Sequence, residues 1–176
     1  MLITKSEIKK EYIRGIEGMG TGLVLLKVYS KEKRYGMNYH YFFEDNRKPP
    51  LDLAINPDDG MIEYISFFVQ DELVEKREMK ESFSIIDANV EFDISSFNDE
   101  INNKVFEEKF ELFIDSNGNL WCLKNIGDIS INAYLIDYNN YILFDENNEF
   151  LGVLMKDLNH KELEQFVESD CIRVKP

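Results

Sequence analysis

Phe110-Glu111-Leu112-Phe113-Ile114-Asp115-Ser116-Asn117-Gly118-Asn119-Leu120-Trp121-Cys122-Leu123 reads as strand, turn and strand. Strand-forming residues run into an Asp/Asn/Gly cluster, where Asn and Gly take positive φ at little cost, and emerge into another apolar run. The same cadence stands on either side. Residues 51–55 pass through Asn56-Pro57-Asp58-Asp59-Gly60 and return over 61–69, and residues 141–144 pass through Asp145-Glu146-Asn147-Asn148 and return over 150–155. The turns are unevenly spaced and their flanks share no register, so the recurrence is hairpin chemistry rather than a repeat array. The expected fold class is α+β: a predominantly antiparallel β-sheet built from successive hairpins, with a C-terminal helix and a short N-terminal helix.

Outside these hairpins the pattern is less regular. Residues 23–29 and 35–43 read as strands joined by the charged turn 30–34, and are expected to pair with each other. Pro49-Pro50 forces an extended entry into the first marked hairpin. Residues 83–86 and 90–94 suit strands, the charged run 70–81 suits an exposed loop or short helix, and the polar stretch 98–109 has room for a helical turn. Residues 129–136, 141–144 and 151–155 are apolar on both parities, which places them mid-sheet or between layers. Ile8, Tyr12 and Ile13 behind Ser6 or Thr4 suit a helix within residues 3–16, with a strand as the alternative. Near the other end, Asn159 and Glu162 have capping-box spacing ahead of Leu163, Phe166 and Val167, predicting a helix over 157–169.

At 176 residues, 44% apolar and 13% aromatic, the chain suits a single domain over 1–176. Its formal charge of −14 is uneven: residues 1–50 hold ten Lys/Arg against six Asp/Glu, so the acidity belongs to 51–176. Such a field disfavours nucleic acid and anionic membrane and favours cationic partners. No run of about 20 apolar residues is present and the first residues lack an apolar leader core, so a cytoplasmic location is expected. Cys122 and Cys171 have no metal-ligand spacing, and two reduced thiols are expected in that compartment.

Catalytic and cofactor motifs fare poorly. Gly18-Met19-Gly20-Thr21-Gly22-Leu23 has Leu23 where a dinucleotide fingerprint needs glycine, and a strand pattern where it needs a helix; a glycine turn is the better reading. Asp115-Ser116-Asn117-Gly118-Asn119 begins like a calcium loop, but Leu120 occupies the position that requires glycine. No metal or cofactor is expected. His160 reads as a surface residue. His40 is the one candidate general base, with Ser66, Cys122 or an acid such as Asp52 as partners that folding would have to supply. The more suggestive cluster is aromatic and acidic: Tyr134, Asp137, Tyr138 and Tyr141, with Asp145 beyond them, are the candidate partner-binding residues, since Tyr anchors interfaces and acids recognise Arg or Lys.

These features point to a non-catalytic, acidic binding protein that captures a basic protein partner such as a nuclease toxin. A nuclease must be basic to hold phosphate, and its inhibitor gains encounter rate by being acidic. In size, acidity and lack of a catalytic motif the chain resembles bacterial immunity proteins, by analogy of manner and not through a shared motif. Two further readings stand beside it: a small enzyme or ligand-binding domain assembled around His40, and a regulatory or structural subunit of a larger assembly.

Overall fold

The computed structural model describes residues 1–125 and 127–172. Its strands run in chain order as β1 (Ile3–Ser6), β2 (Tyr12–Gly18), β3 (Leu23–Ser30), β4 (Tyr39–Asp45), β5 (Lys48–Ile55), β6 (Ile62–Gln70), β7 (Glu75–Lys76), β8 (Phe83–Ile86), β9 (Asn89–Phe92), β10 (Asn103–Glu107), β11 (Phe110–Ile114), β12 (Leu120–Lys124), β13 (Ile131–Asp137), β14 (Asn140–Phe144) and β15 (Phe150–Met155), followed by α1 (His160–Glu168). All three marked turns close hairpins, β5–β6, β11–β12 and β14–β15. Their polar residues hold them shut. Asp115 Oδ1 accepts from the amides of Asn117 (2.9 Å) and Asn119 (3.1 Å), and Asp145 Oδ1 accepts from Asn147 (2.8 Å) and Glu149 (2.9 Å).

A six-stranded sheet has the order β10-β4-β5-β6-β3-β2, a seven-stranded sheet the order β7-β11-β12-β15-β14-β13-β8, and β1 pairs with β9. The class is α+β, but the sheets are mixed: β10 runs parallel to β4, β7 to β11 and β8 to β13. Hairpins therefore build the sheet centres, while distant segments dock as parallel edges. Two of those edges, β7 and β10, come from stretches whose polarity suggested loop or helical turn.

The N-terminal helix is replaced by β1 and β2. Ile3 pairs opposite Phe92, and β2 pairs along its whole length with β3. The β-branched content wins because both segments find strand partners. The expected pairing of β3 with the following strand is also corrected: β3 lies between β2 and β6, and the glycine passage forms the β2–β3 turn, with Gly20 at φ +122° and Gly22 at φ +80°. That turn needs no Cβ at either position.

Two apolar layers result. Between the sheets, Leu26, Leu53 and Ile65 meet Cys122, Phe144 and Val153, and the rings of Phe43 and Phe150 lie 4.7 Å apart. On the other face of the seven-stranded sheet, Phe113, Trp121, Leu143 and Leu154 form a second buried cluster. Residues 77–82 link the two opposite edges of this sheet and cover that cluster. Met79 packs on it, the Arg77 guanidinium sits 3.7 Å from the Phe113 ring centroid, and Phe83 meets Trp121 edge-on at 5.1 Å. Strands apolar on both parities thus have both faces buried, as their pattern required.

The C-terminal helix has its capping box, with Asn159 Oδ1 accepting from the Glu162 amide and Glu162 Oε2 from the Asn159 amide, both at 2.9 Å. Phe166 is fully buried, whereas Val167 faces outward. Among the described residues, no helix is long and apolar enough to cross a membrane.

Candidate functional site

The five residues expected to bind a partner do not share one surface. Tyr134 is half-buried, its ring 5.9 Å from Phe144 in the inter-sheet core. Tyr141 is 9% exposed and belongs to the second cluster, because it pairs opposite Leu135 on the other parity. Asp137 accepts the Tyr12 amide at 2.9 Å and so ties the β13–β14 turn to β2. Tyr138 is 82% exposed at that turn. Asp145 lies at the far end of β14, about 16 Å away at the rise of an extended strand. Proximity in sequence was misleading here, since a strand of alternating faces separates neighbours.

Four of the ten cations of residues 1–50 pair with acids of the remainder. Lys10 reaches Asp59 (2.8 Å) and Glu63 (3.3 Å), Arg14 reaches Glu162 (2.8 Å), Arg34 reaches Asp58 (3.3 Å), and Lys48 pairs with Glu72. Lys10, Arg14 and Lys48 are largely covered in these pairs, and many acids are left on the surface. Glu17, Glu44, Glu107, Glu146 and Glu168 are all exposed.

The outer face of the six-stranded sheet gathers the remaining chemistry. Strand alternation sends Leu51, Leu53 and Ile55 inward, so Asp52 points out. Register then assembles three rows across the sheet. The first is Asn103, His40, Ala54, Tyr64, Tyr29 and Ile13; the second is Val105, Phe42, Asp52, Ser66, Lys27 and Gly15. In the third, Glu107 stands beside Glu44 at one side and Phe68, Leu25 and Glu17 follow at the other. The result is an aromatic and aliphatic platform with acids at its margins.

At its centre, His40 Nδ1 lies 2.8 Å from Asp52 Oδ1, and the Tyr64 hydroxyl donates to Asp52 Oδ2 at 2.7 Å. An ionised carboxylate only accepts, so in this bond His40 Nδ1 is the donor. Burial and this bond to Asp52 hold the Tyr64 phenol above its ordinary pKa, keeping it a donor. Phe42 stacks on the His40 ring at 5.1 Å, and the Lys27 ammonium lies 4.4 Å from the Tyr64 ring centroid. These contacts hold the aromatic rings in place.

Of the residues considered beside His40, Asp52 is in contact and Ser66 is the cross-strand neighbour of Asp52. Cys122 is not available: it belongs to the inter-sheet core, and burial pushes its thiol up to about 12. Cys171 is buried and likewise raised, and neither forms a disulfide. His160 is exposed beside Glu164. The calcium-like loop is a turn whose carboxylate is filled by its own chain, since Asp115 Oδ2 accepts from Asn119 Nδ2 and Trp121 Nε1, both at 3.0 Å. Sequence reasoning missed Tyr29, Tyr64, Phe42 and Lys27; alternation sets each opposite the buried residues of its own strand, but only the strand register brings them to the face of Asp52.

No protein-family model matches the chain, and comparison with characterised proteins finds no match in sequence.

Proposed function

We propose that this chain is a non-catalytic binding protein that captures a basic protein partner on the outer face of its six-stranded sheet, most concretely a nucleic-acid-cleaving toxin, in the manner of bacterial immunity proteins. The supporting observation is the anatomy of that face: rings of Tyr29, Tyr64, Phe42 and Phe68 around Asp52, with Glu17, Glu44 and Glu107 at the margins. Interfaces concentrate binding energy in ordered aromatic anchors, and peripheral charges steer encounter and select the sign of the partner. The platform also suits a macromolecule better than a small ligand, because a flat sheet face encloses little of a small molecule.

The test is association with the product of the adjacent gene at about 50 mM and about 500 mM salt, where screening differs several-fold. Binding should weaken with salt. Glu17→Lys with Glu44→Lys should slow association about tenfold, and Tyr29→Ala should speed dissociation by a similar factor. Absence of binding at both salts ends the proposal, and binding indifferent to salt removes its electrostatic part.

A second reading rests on the His40–Asp52 pair, which is the orientation a general base uses. Under it, the chain hydrolyses 4-nitrophenyl acetate with a pH profile that His40→Gln abolishes and Asp52→Asn displaces. Equal background rates in all three proteins discard it.

A further inference from the structure

The four edges of the two large sheets are treated differently by this fold. On β2 the edge is closed by side chains: the Tyr12 amide donates to Asp137 Oδ2 and the Gly18 amide to Gln165 Oε1, both at 2.9 Å, while Arg14 bonds Glu162 alongside. The β7 edge is only two residues long. Short or covered edges resist pairing with another chain. Among the described residues, β8 and β10 have no such cover.

On β10 the direction of the backbone follows from two bonds. The His40 amide donates to the Asn102 carbonyl (2.9 Å), and the Glu108 amide donates to the Glu44 carbonyl (3.0 Å). Even-numbered residues therefore turn their backbone groups toward β4, and Asn103, Val105 and Glu107 turn theirs to the free side. All three are exposed, with Val105 at 52% and its neighbour Phe106 at 42%. The strand contains no proline and no bulge. It is an open ladder with an apolar centre.

We propose that β10 pairs antiparallel with β10 of a second copy of this chain about a two-fold axis at Val105, joining two six-stranded sheets into one. In this register the outward-facing residues pair only with one another, giving hydrogen-bonded pairs Asn103–Glu107, Val105–Val105 and Glu107–Asn103 across the axis. An amide meets a carboxylate, a valine meets itself, and Lys104 stands opposite Phe106. No like charges are opposed. The free β8 edge is less well suited: β8 has four residues, so a two-fold register overlaps only three of them, whereas β10 overlaps itself over all five, and the β8 register about Ser84 also sets Glu81 against Asp87 of the other copy, twice. The axis is perpendicular to the sheet, so both aromatic platforms face the same side.

The whole chain, followed by sedimentation equilibrium from about 1 μM to about 1 mM, should show a monomer–dimer equilibrium, as befits a small interface. Each copy carries −14, so association should tighten as salt rises. Val105→Pro removes one amide from each copy and should weaken the dimer by roughly 30-fold, with an unchanged circular dichroism spectrum. Val105→Cys should cross-link to a covalent dimer on oxidation, whereas Ile85→Cys at the β8 edge should not; the native thiols are buried. Monomer throughout, or a dimer that Val105→Pro leaves intact, overturns the proposal. If Val105→Pro does not fold, the cross-link decides, and failure of Val105→Cys to form it overturns the proposal equally.

Discussion

Asp115 holds the second hairpin turn with both carboxylate oxygens, serving two backbone amides, one side-chain amide and the Trp121 indole. Burial works to raise its pKa, but these bonds outweigh it and hold the carboxyl below the usual aspartate range. Stability from this residue is therefore fully present above the unfolded value of roughly 3.9, and disappears as pH falls through the lower folded value. Asp115→Asn turns an NH2 group toward two donors and should destabilise by about 2 kcal/mol at pH 7. Urea unfolding should show this difference shrinking on acidification below about pH 4; a constant difference would show that the charge is immaterial. The turn was legible because all its partners lie within six residues. The His40–Asp52 bond was legible only as a possibility: alternation shows that Asp52 points away from Leu51 and Leu53, but its place diagonal to His40 depends on the β4–β5 register. Tyr141 shows the converse, a residue that looked like an interface anchor and is instead packed inside.

Among the elements, β15 is the one most sensitive to a single atom. Gly152 sits at φ +148°, and a Cβ there would fall within the Cys122 carbonyl oxygen of the neighbouring strand. The register also shifts nearby, between Leu143 and Phe144. Both strain and clash with backbone oppose any side chain, so Gly152→Ala should cost about 3 kcal/mol or more and lower the melting temperature by about 10 °C in calorimetry. A loss below about 1 kcal/mol would mean that β12 and β15 can separate without consequence. A glycine within an apolar run hints at such an approach, yet the sequence names no neighbour. β7 and β10 were illegible for a related reason. They are edges with one strand partner each, half in water, and parallel pairing leaves no turn signal between partners far apart in sequence.

At the scale of the whole molecule, the charge is a force on the fold as well as on its partners. With a formal charge of −14 and four of the N-terminal cations already paired with acids of the remainder, the remaining acids repel one another across the surface. Thermal stability should rise between about 20 mM and about 500 mM sodium chloride, opposite in sign to the salt dependence of partner capture; a flat response would show that the acids are too dispersed to interact. What the residues alone decide is local: where the chain turns, which strands are apolar on two faces, how the last helix is capped, and how much negative charge there is. Each of these depends on neighbours within a few residues, through propensity, alternation and turn hydrogen bonds. The order of strands, the parallel edges, the strap at residues 77–82 and the outward cluster of His40, Asp52 and Tyr64 arise only when distant segments meet. Pairing of such segments is chosen by the collective burial of two apolar layers, a quantity that no short window of sequence contains.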